Sequence, residues 1–343
     1  MSHITNNRAA FITGKGIRPL EVGPGPVPNP AKNEVVIKVA YVAINPVDAI
    51  TQDKPSVELS YPTPIGEDVS GTVVALGSDV TQFTLGQRVT GHCDGLLSRK
   101  PTNMAFQLYA TCLEVLVSSI PDSVPLVNAA VLPLAVSTAS TGLFSVLKLP
   151  FPTISPEPTG RTVLIWGGSS SVGSCAIQLA LAAGFNVAAT ASAKNHEYVR
   201  SLGAQHVFDY NDADVVDKVT AFLKEGDLVF DCIGTQDVMG ACGGILSKIG
   251  GGKLPTVRYP EPSTYDNVTN SFVMGLTPGL VDTSIGVAVW HKYLPEALKG
   301  GKFQAKPEPF VIEGGLEKIQ EGIDMIKKGV SATKIVVEIA KSA

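Results

Sequence analysis

Residues 167–173 read Gly-Gly-Ser-Ser-Ser-Val-Gly, between an apolar β-rich run (Val163 to Trp166) and a segment of helical period that ends at Gly184. A turn of small residues at such a junction aims its backbone N–H groups and the positive end of the next helix at one spot, which suits a pyrophosphate. Against the dinucleotide fingerprint G-x-G-x-x-G the chain offers Gly168, Ser169, Ser170, Ser171, Val172 and Gly173, with Ser170 at the middle glycine. An ordinary βα turn with serine N-caps has the same composition, so the flanking elements must decide.

Those elements favour a nucleotide fold. NVAATAS (186–192), HVFDY (206–210) and DLVFDCIG (227–234) read as further apolar strands, and GGGKLPTV (250–257) as a fifth in which Pro255 argues for an edge or an early end. Apolar strands alternating with helical segments predict a doubly wound parallel sheet of an α/β Rossmann domain. An NAD-preferring site usually ends its second strand in an acid that binds the adenosine ribose. Here the strand ends in Ser192-Ala193-Lys194-Asn195, with no acid in sequence until Glu197. A carboxylate repels a 2′-phosphate, whereas a hydroxyl, an ammonium and an amide donate to it, so NADPH is the expected cofactor. The alternative is that Lys194 is a solvated lysine at a helix start. Tyr210, at the end of the third strand, is placed beside the adenine.

Composition narrows the classes. The 343 residues, 44% apolar and 17% charged with a net charge of −4, suffice for two globular domains and lack the basic footprint of a nucleic-acid binder. Five scattered cysteines fit free thiols in a reducing compartment. The opening MSHITNNRAAF has no apolar signal core and no apolar run is long enough to span a membrane, so the expected location is the cytoplasm, with no membrane partner.

Ahead of the nucleotide segment, VVIKVAYVAINP (35–46), VSGTVVALG (69–77) and LGQRVTGH (85–92) alternate in β fashion without regular helices, which predicts a small, mostly antiparallel barrel. LPFPTISPEPTG (149–160) and YPEPSTYDN (259–267) read as loops. The tail GLEKIQEGIDMIKKG (315–329) has helical period with Leu316, Ile319, Ile323 and Ile326 on one face, and KIVVEI (334–339) reads as a strand. The expected organisation is a barrel domain over 1–125, an inserted Rossmann domain over 126–275 and a return to the barrel domain over 276–343, with the nicotinamide in the cleft between them.

The order of these pieces resembles the medium-chain dehydrogenase/reductase superfamily, from AINPVD (43–48) through IGEDVSGTVVALG (65–77), LPLAVSTA (132–139) and WGGSSSVG (166–173) to GVSATKIVVEI (329–339). NPVD and the SSSVG variant are similar to its zinc-independent quinone and enoyl reductase branch, and TASAKN and VFDYND to fungal trans-acting enoyl reductases of polyketide pathways. The resemblance implies a GroES-like catalytic domain around the Rossmann insert. It also implies that the positions of the catalytic zinc ligands carry Asn45, Glu67 and Ala135 here, a set without thiolate or imidazole, so no metal is expected. Glu67 and Asp68 are read as turn or salt-bridge residues.

Without a Lewis acid, reduction of an activated C=C bond is the easier chemistry: hydride reaches the β-carbon, charge collects on the carbonyl oxygen and a proton reaches the α-carbon. The resemblance places Thr138 at the nicotinamide and substrate, with a helix cap as the plain alternative. Asn45, Val47, Asp48 and Ile50 fall beside the nicotinamide, and Ser331 of the last motif joins the cofactor contacts. Ile50 departs from the lovastatin-type enzymes, which carry a lysine there. Tyr61 is the proton-donor candidate, with Lys54 and Tyr41 as others. His92, His206 and His291 stand without acid partners in sequence, and Trp290, Tyr293 and Phe272 are candidates for an apolar pocket. The reading is therefore an NADPH-dependent reductase of an enoyl thioester or other α,β-unsaturated carbonyl in fungal secondary metabolism, monomeric, with a polyketide synthase as partner. A quinone oxidoreductase and an NADPH-binding non-redox enzyme or synthase partner are the rivals.

Overall fold

The computed structural model describes residues 4–340. In chain order the strands are β1 (Arg8–Ile12), β2 (Glu21–Pro24), β3 (Glu34–Ala43), β4 (Thr63–Pro64), β5 (Asp68–Leu76), β6 (Arg88–His92), β7 (Tyr109–Leu113) and β8 (Val117–Ser119). The nucleotide segment follows with β9 (Thr162–Trp166), β10 (Asn186–Ala191), β11 (His206–Asp209), β12 (Leu228–Asp231), β13 (Gly252–Thr256) and β14 (Val268–Phe272), and the return adds β15 (Glu308–Ile312) and β16 (Thr333–Glu338). By contacts the chain forms two compact units, one running through Leu134 and resuming at Trp290, the other Ala135–Val289.

These seams fall later than the 126 and 276 read from the sequence. Tertiary bonds tie 126–134 to the first unit: Ser70 Oγ donates to Leu126 O at 2.7 Å and Thr90 Oγ1 to Ala129 O at 3.0 Å, and Asp68 Oδ1 accepts the Leu134 N–H at 2.7 Å. In the second unit, Thr141 Oγ1 donates to Met274 O, and the short helices Thr277–Leu280 and Thr283–Gly286 follow.

The first unit contains a three-stranded sheet in the order β2-β1-β4 and a seven-stranded one in the order β15-β16-β3-β5-β6-β8, with β7 on β3. Pairing is antiparallel except between β15 and β16, in line with the barrel texture read from the sequence. Val35, Ile37, Val69, Val89, Phe106, Ile335 and Val337 fill its core. The tail forms a 3₁₀ turn, Gly315–Lys318, and then the helix Ile319–Lys328, burying Leu316, Ile319 and Ile323 with Ile326 partly covered. Gln52 Nε2 of the helix Pro46–Asp53 donates to Gln320 Oε1 at 2.8 Å, bridging the two helices.

The second unit is a six-stranded parallel sheet in the order β11-β10-β9-β12-β13-β14, the 3-2-1-4-5-6 arrangement of dinucleotide-binding sheets. Pro255 lies in an interior strand rather than at an edge, and the strand ends one residue later, in keeping with the early end that was the other reading. The parallel ladder explains this. Gly252 N donates to Asn267 O and Val273 N to Thr256 O, so residues 252, 254 and 256 direct their backbone groups to β14. Pro255 therefore faces β12, where the ladder amounts to the single pair Asp231↔Thr256, and its missing N–H costs little. β14, with the half-polar sequence VTNSF, carries no sequence signal for a strand and is added by pairing to β13.

The stretch Leu126–Val146 is long and apolar enough to cross a membrane, which the sequence reading did not anticipate, but 83% of its apolar window is buried inside the protein. It is a core helix in this structure.

Candidate functional site

In the second unit the strand order reverses at β9, with β10 on one side and β12 on the other, and the loops beyond their carboxyl ends form the switch point at which such sheets bind ligands. The turn there is locked from below. Thr190 of β10 accepts the Gly167 N–H with Oγ1 at 3.0 Å and the Gly168 N–H with its carbonyl at 2.8 Å. Ser170 is the N-cap of the helix Ser171–Ala182, its Oγ accepting the Gly173 N–H at 3.0 Å. With that third amide satisfied, the Ser171 and Val172 N–H groups are the first-turn donors left for a ligand. A Cβ on Gly173 would lie 2.2 Å from Gly167 O, so helix and strand approach this closely only because no side chain intervenes. Gly168, Ser169, Ser170, Ser171 and Val172 are thus gathered in one turn at a helix N-terminus, a geometry that suits an anion. Beside it, Asp231 at the end of β12 fixes the next loop, accepting the Ile233 and Gly234 N–H groups at 2.8 and 2.9 Å and the Thr256 hydroxyl at 2.8 Å. Burial pushes the Asp231 carboxyl up, and these hydrogen bonds oppose the shift.

At the end of β10, Asn195 is buried and links the turn to the strand end, its Nδ2 reaching Ser169 Oγ at 3.4 Å and Ser192 Oγ at 3.3 Å. Ser192 is half-buried, Lys194 is exposed and Tyr210 is exposed just past β11. An acid missed by the sequence reading stands here as well. The parallel register sets Ala191 opposite Asp209, whose Oδ2 accepts the Ala193 N–H at 3.1 Å and whose Oδ1 accepts both the backbone N–H and the side-chain Nδ2 of Asn211. Those hydrogen bonds hold the Asp209 carboxyl below its usual range. Only the pairing of β10 with β11 reveals this neighbour, because the two residues belong to different strands.

The first unit holds a buried polar cluster at the start of the helix Pro46–Asp53. Ala43 of β3 pairs with Asp68 of β5, and Ile44 N donates to Ile335 O of β16, which brings Asn45, Asp68 and Lys334 together. Asn45 Nδ2 donates to Asp68 Oδ2 at 2.8 Å, and Lys334 Nζ donates to Asn45 Oδ1 and lies 3.0 Å from Asp68 Oδ2. Asp48 Oδ2 accepts the Asn45 N–H at 2.7 Å, the reciprocal half of a capping box. Burial, and then the charges of Glu67 and Asp68, push the Asp48 carboxyl well up, so it holds its proton far above the usual carboxylate range. His92 Nε2 lies 3.4 Å from Glu67 Oε2, so this histidine does have an acid partner, contrary to the sequence expectation. Asp68 carries the salt-bridge role expected of it, with Lys334, and Glu67 is partnered by His92. Val47 is half-buried and Ile50 is 46% exposed on the same helix.

The other candidates are scattered. Thr138 is 6% exposed and lies inside the helix Pro133–Ser140, so it is not a cap. Tyr61 is 36% exposed in the loop before β4, and Ser331 is exposed just ahead of β16. Tyr41 OH lies 3.5 Å from Glu338 Oε1, and Lys54 is exposed. His291 Nε2 bonds Glu114 O at 2.8 Å, and His206 packs on Phe222. Trp290 and Tyr293 are buried, whereas Phe272 stacks under exposed Tyr259.

The positions that the resemblance assigns to zinc ligands do not suit zinc. They supply an amide, a carboxylate and an alanine, and an ammonium already lies between Asn45 and Asp68. Among the described residues, no three His, Cys, Asp or Glu side chains gather as a metal-binding group. Cys93 and Cys112, 3.4 Å apart at sulfur, are two buried free thiols.

The family description "Alcohol dehydrogenase GroES-like domain" matches residues 31–121, and "Zinc-binding dehydrogenase" matches residues 171–257. The chain is 57% identical over 336 residues to the trans-enoyl reductase himH of Aspergillus japonicus, covering 98% of each. It is 38% identical over 355 residues to the dehydrogenase orsE of Emericella nidulans, covering 98% of this chain and all of the other. An alcohol dehydrogenase superfamily protein from Novosphingobium aromaticivorans superposes with a TM-score of 0.78 at 27% identity, covering 97% of this chain and 100% of that one. Barrel-type strands before and after a 3-2-1-4-5-6 nucleotide sheet in chain order, matched over almost the full length by these relatives, place the chain in the medium-chain dehydrogenase/reductase superfamily.

Proposed function

We propose that the protein is an NADPH-dependent, zinc-independent enoyl reductase that takes its α,β-unsaturated thioester from a polyketide synthase in fungal secondary metabolism. The observation that carries the reading is a Rossmann turn with open Ser171 and Val172 amides in a chain whose resemblance puts Asn45, Glu67 and Ala135, a set without thiolate or imidazole, at the zinc-ligand positions, in a sequence 57% identical to a trans-enoyl reductase. A bound nicotinamide coenzyme supplies the hydride that reaches the β-carbon. The chain's own groups do the rest. The amides of the 168–172 turn hold the pyrophosphate, and Ser192, Lys194 and Asn195 donate to the 2′-phosphate while Tyr210 covers the adenine. Asn45, Val47, Asp48, Ile50 and Ser331 are assigned to the nicotinamide side. The Thr138 hydroxyl orients the carboxamide or donates to the enolate oxygen, and the Tyr61 phenol delivers the proton to the α-carbon. Five buried thiols suit a reducing cytoplasm, and we read the enzyme as a monomer.

Incubation with NADPH deuterated on either face of C4 tests this reading. Stereospecific deuterium at the β-carbon of a crotonyl thioester, with slower turnover of a simple quinone, is the expected result. Faster quinone reduction would favour the quinone oxidoreductase rival, and tight NADPH binding with no label transfer to any acceptor would favour a non-redox role.

A further inference from the structure

The carboxyl ends of β12, β13 and β14 carry a cation and an aromatic ring that the coenzyme does not absorb. With the pyrophosphate at the β9 turn and the adenosine at the ends of β10 and β11, the rest of the coenzyme and the thioester fall towards β12 and β13. Thr256 closes β13 tied to both neighbours, its hydroxyl donating to Asp231 Oδ2 at 2.8 Å and its carbonyl accepting the Val273 N–H at 3.0 Å. Two residues on, Arg258 lies against Gly234, where a Cβ would fall 2.7 Å from Arg258 Cγ. Gly234, at φ +77°, thus lets the arginine stem rest on the loop that Asp231 fixes. The Arg258 side chain is exposed, and among the described residues no acid forms an ion pair with it; Asp231, whose carboxyl feels its charge, already accepts from Ile233, Gly234 and Thr256. Tyr259 comes next. It is 73% exposed, and its ring stacks on Phe272 with centroids 4.0 Å apart and planes 16° from parallel. Asn270 Nδ2 donates to Glu261 O at 2.9 Å and holds the loop to β14, so the ring is presented with one face covered and the other in water.

We propose that Arg258 and Tyr259 form a subsite for the phosphopantetheine arm of the thioester substrate: the guanidinium takes the phosphodiester, and the uncovered face of Tyr259 packs along the amide chain. This subsite rests on the enoyl reductase reading and deepens it, because it distinguishes a thioester on a phosphorylated arm from one without phosphate. A guanidinium meets a phosphate with two parallel N–H donors, and an aromatic face gives a flexible chain apolar contact at little entropic cost to the protein. The same phosphodiester occurs on a synthase carrier domain and on coenzyme A, so either can supply it.

The test compares crotonyl-pantetheine with crotonyl-4′-phosphopantetheine on the full chain. The wild-type KM is expected to be about fivefold lower for the phosphorylated thioester, the size of one exposed charge-assisted contact. Arg258→Gln is expected to erase that difference by raising the KM of the phosphorylated thioester alone, with kcat and the NADPH Kd within about twofold of wild type. Tyr259→Ala is expected to raise both KM values about threefold, and Tyr259→Phe to leave them near wild type. Equal wild-type KM values for the two thioesters overturn the proposal. So does an equal rise for both in Arg258→Gln, which a merely structural arginine would give, or a matching rise in the NADPH Kd, which would assign Arg258 to the coenzyme. Unchanged KM values in Tyr259→Ala overturn the part given to the ring. Crotonyl thioesters of coenzyme A and of a phosphopantetheinylated carrier domain separate the sources: the same dependence on Arg258 is expected for both, and dependence with only one overturns the phosphodiester subsite, since the arginine would then contact the nucleotide or the carrier's surface. Should the wild-type enzyme reduce no thioester, the functional reading falls, while calorimetry of butyryl-4′-phosphopantetheine binding to wild type and Arg258→Gln still decides the subsite.

Discussion

Lys194 and Asp209 stand at the ends of neighbouring strands, where the proposed function puts the adenosine. Lys194 is exposed at the end of β10, whereas Asp209 turns its carboxylate back onto the Ala193 and Asn211 amides. A carboxylate already serving backbone donors is a weak partner for a ribose hydroxyl, so the ammonium should set the cofactor preference. Lys194→Ala is expected to raise the KM for NADPH about tenfold and leave that for NADH nearly unchanged, since one solvent-exposed charge-assisted bond lies at the low end of such contributions. Steady-state kinetics with both coenzymes check this, and equal shifts for the two would show that Lys194 makes no phosphate contact. The residue types around Ser192 were legible in the sequence. Asp209 was not, because its place depends on a parallel register rather than on spacing along the chain.

The strand–turn–helix unit around Gly173 was readable as an element because each of its parts has a local cause: an apolar run, small turn residues and a serine cap. What the sequence did not reveal is how tightly it closes. Gly173→Ala puts a Cβ 2.2 Å from Gly167 O, a backbone atom with no side chain to yield. This substitution is expected to cost about 1–3 kcal/mol of stability and most of the coenzyme affinity, because the turn must open. Thermal unfolding and coenzyme titration measure both, and unchanged affinity would mean that this turn does not hold the pyrophosphate. β14 and the placement of Pro255 were illegible for a common reason: both are decided by which ladder faces which neighbour, and VTNSF has no alternation to announce it.

For the whole molecule the buried cluster sets a dependence of stability on pH. The folded-state pKa of Asp48 is raised by burial and by Glu67 and Asp68, so above the ordinary value of 3.8 the folded chain keeps a proton that the unfolded chain has released. The contribution of Asp48 therefore becomes less favourable as pH rises from the unfolded towards the folded value. Asp48→Asn removes this effect and can keep the bond to the Asn45 N–H. The melting temperature of the variant relative to wild type is expected to climb as pH rises above the ordinary carboxylate range towards the raised folded-state value. Parallel curves for the two proteins would show that Asp48 titrates normally.

By itself the sequence determined the periodicities: two β textures, the helical face of 316–326, and the glycine and serine turn. These are local properties, fixed by side-chain spacing and backbone preference over a few residues. Tertiary structure alone decided that Lys334, 289 residues from Asn45 along the chain, donates to that amide, that His92 meets Glu67, and that Asp209 stands beside Ala193. Such contacts arise where strands distant in sequence are forced side by side to satisfy their backbone groups and bury their apolar faces. The charges gathered there follow from register, which no short stretch of chain encodes.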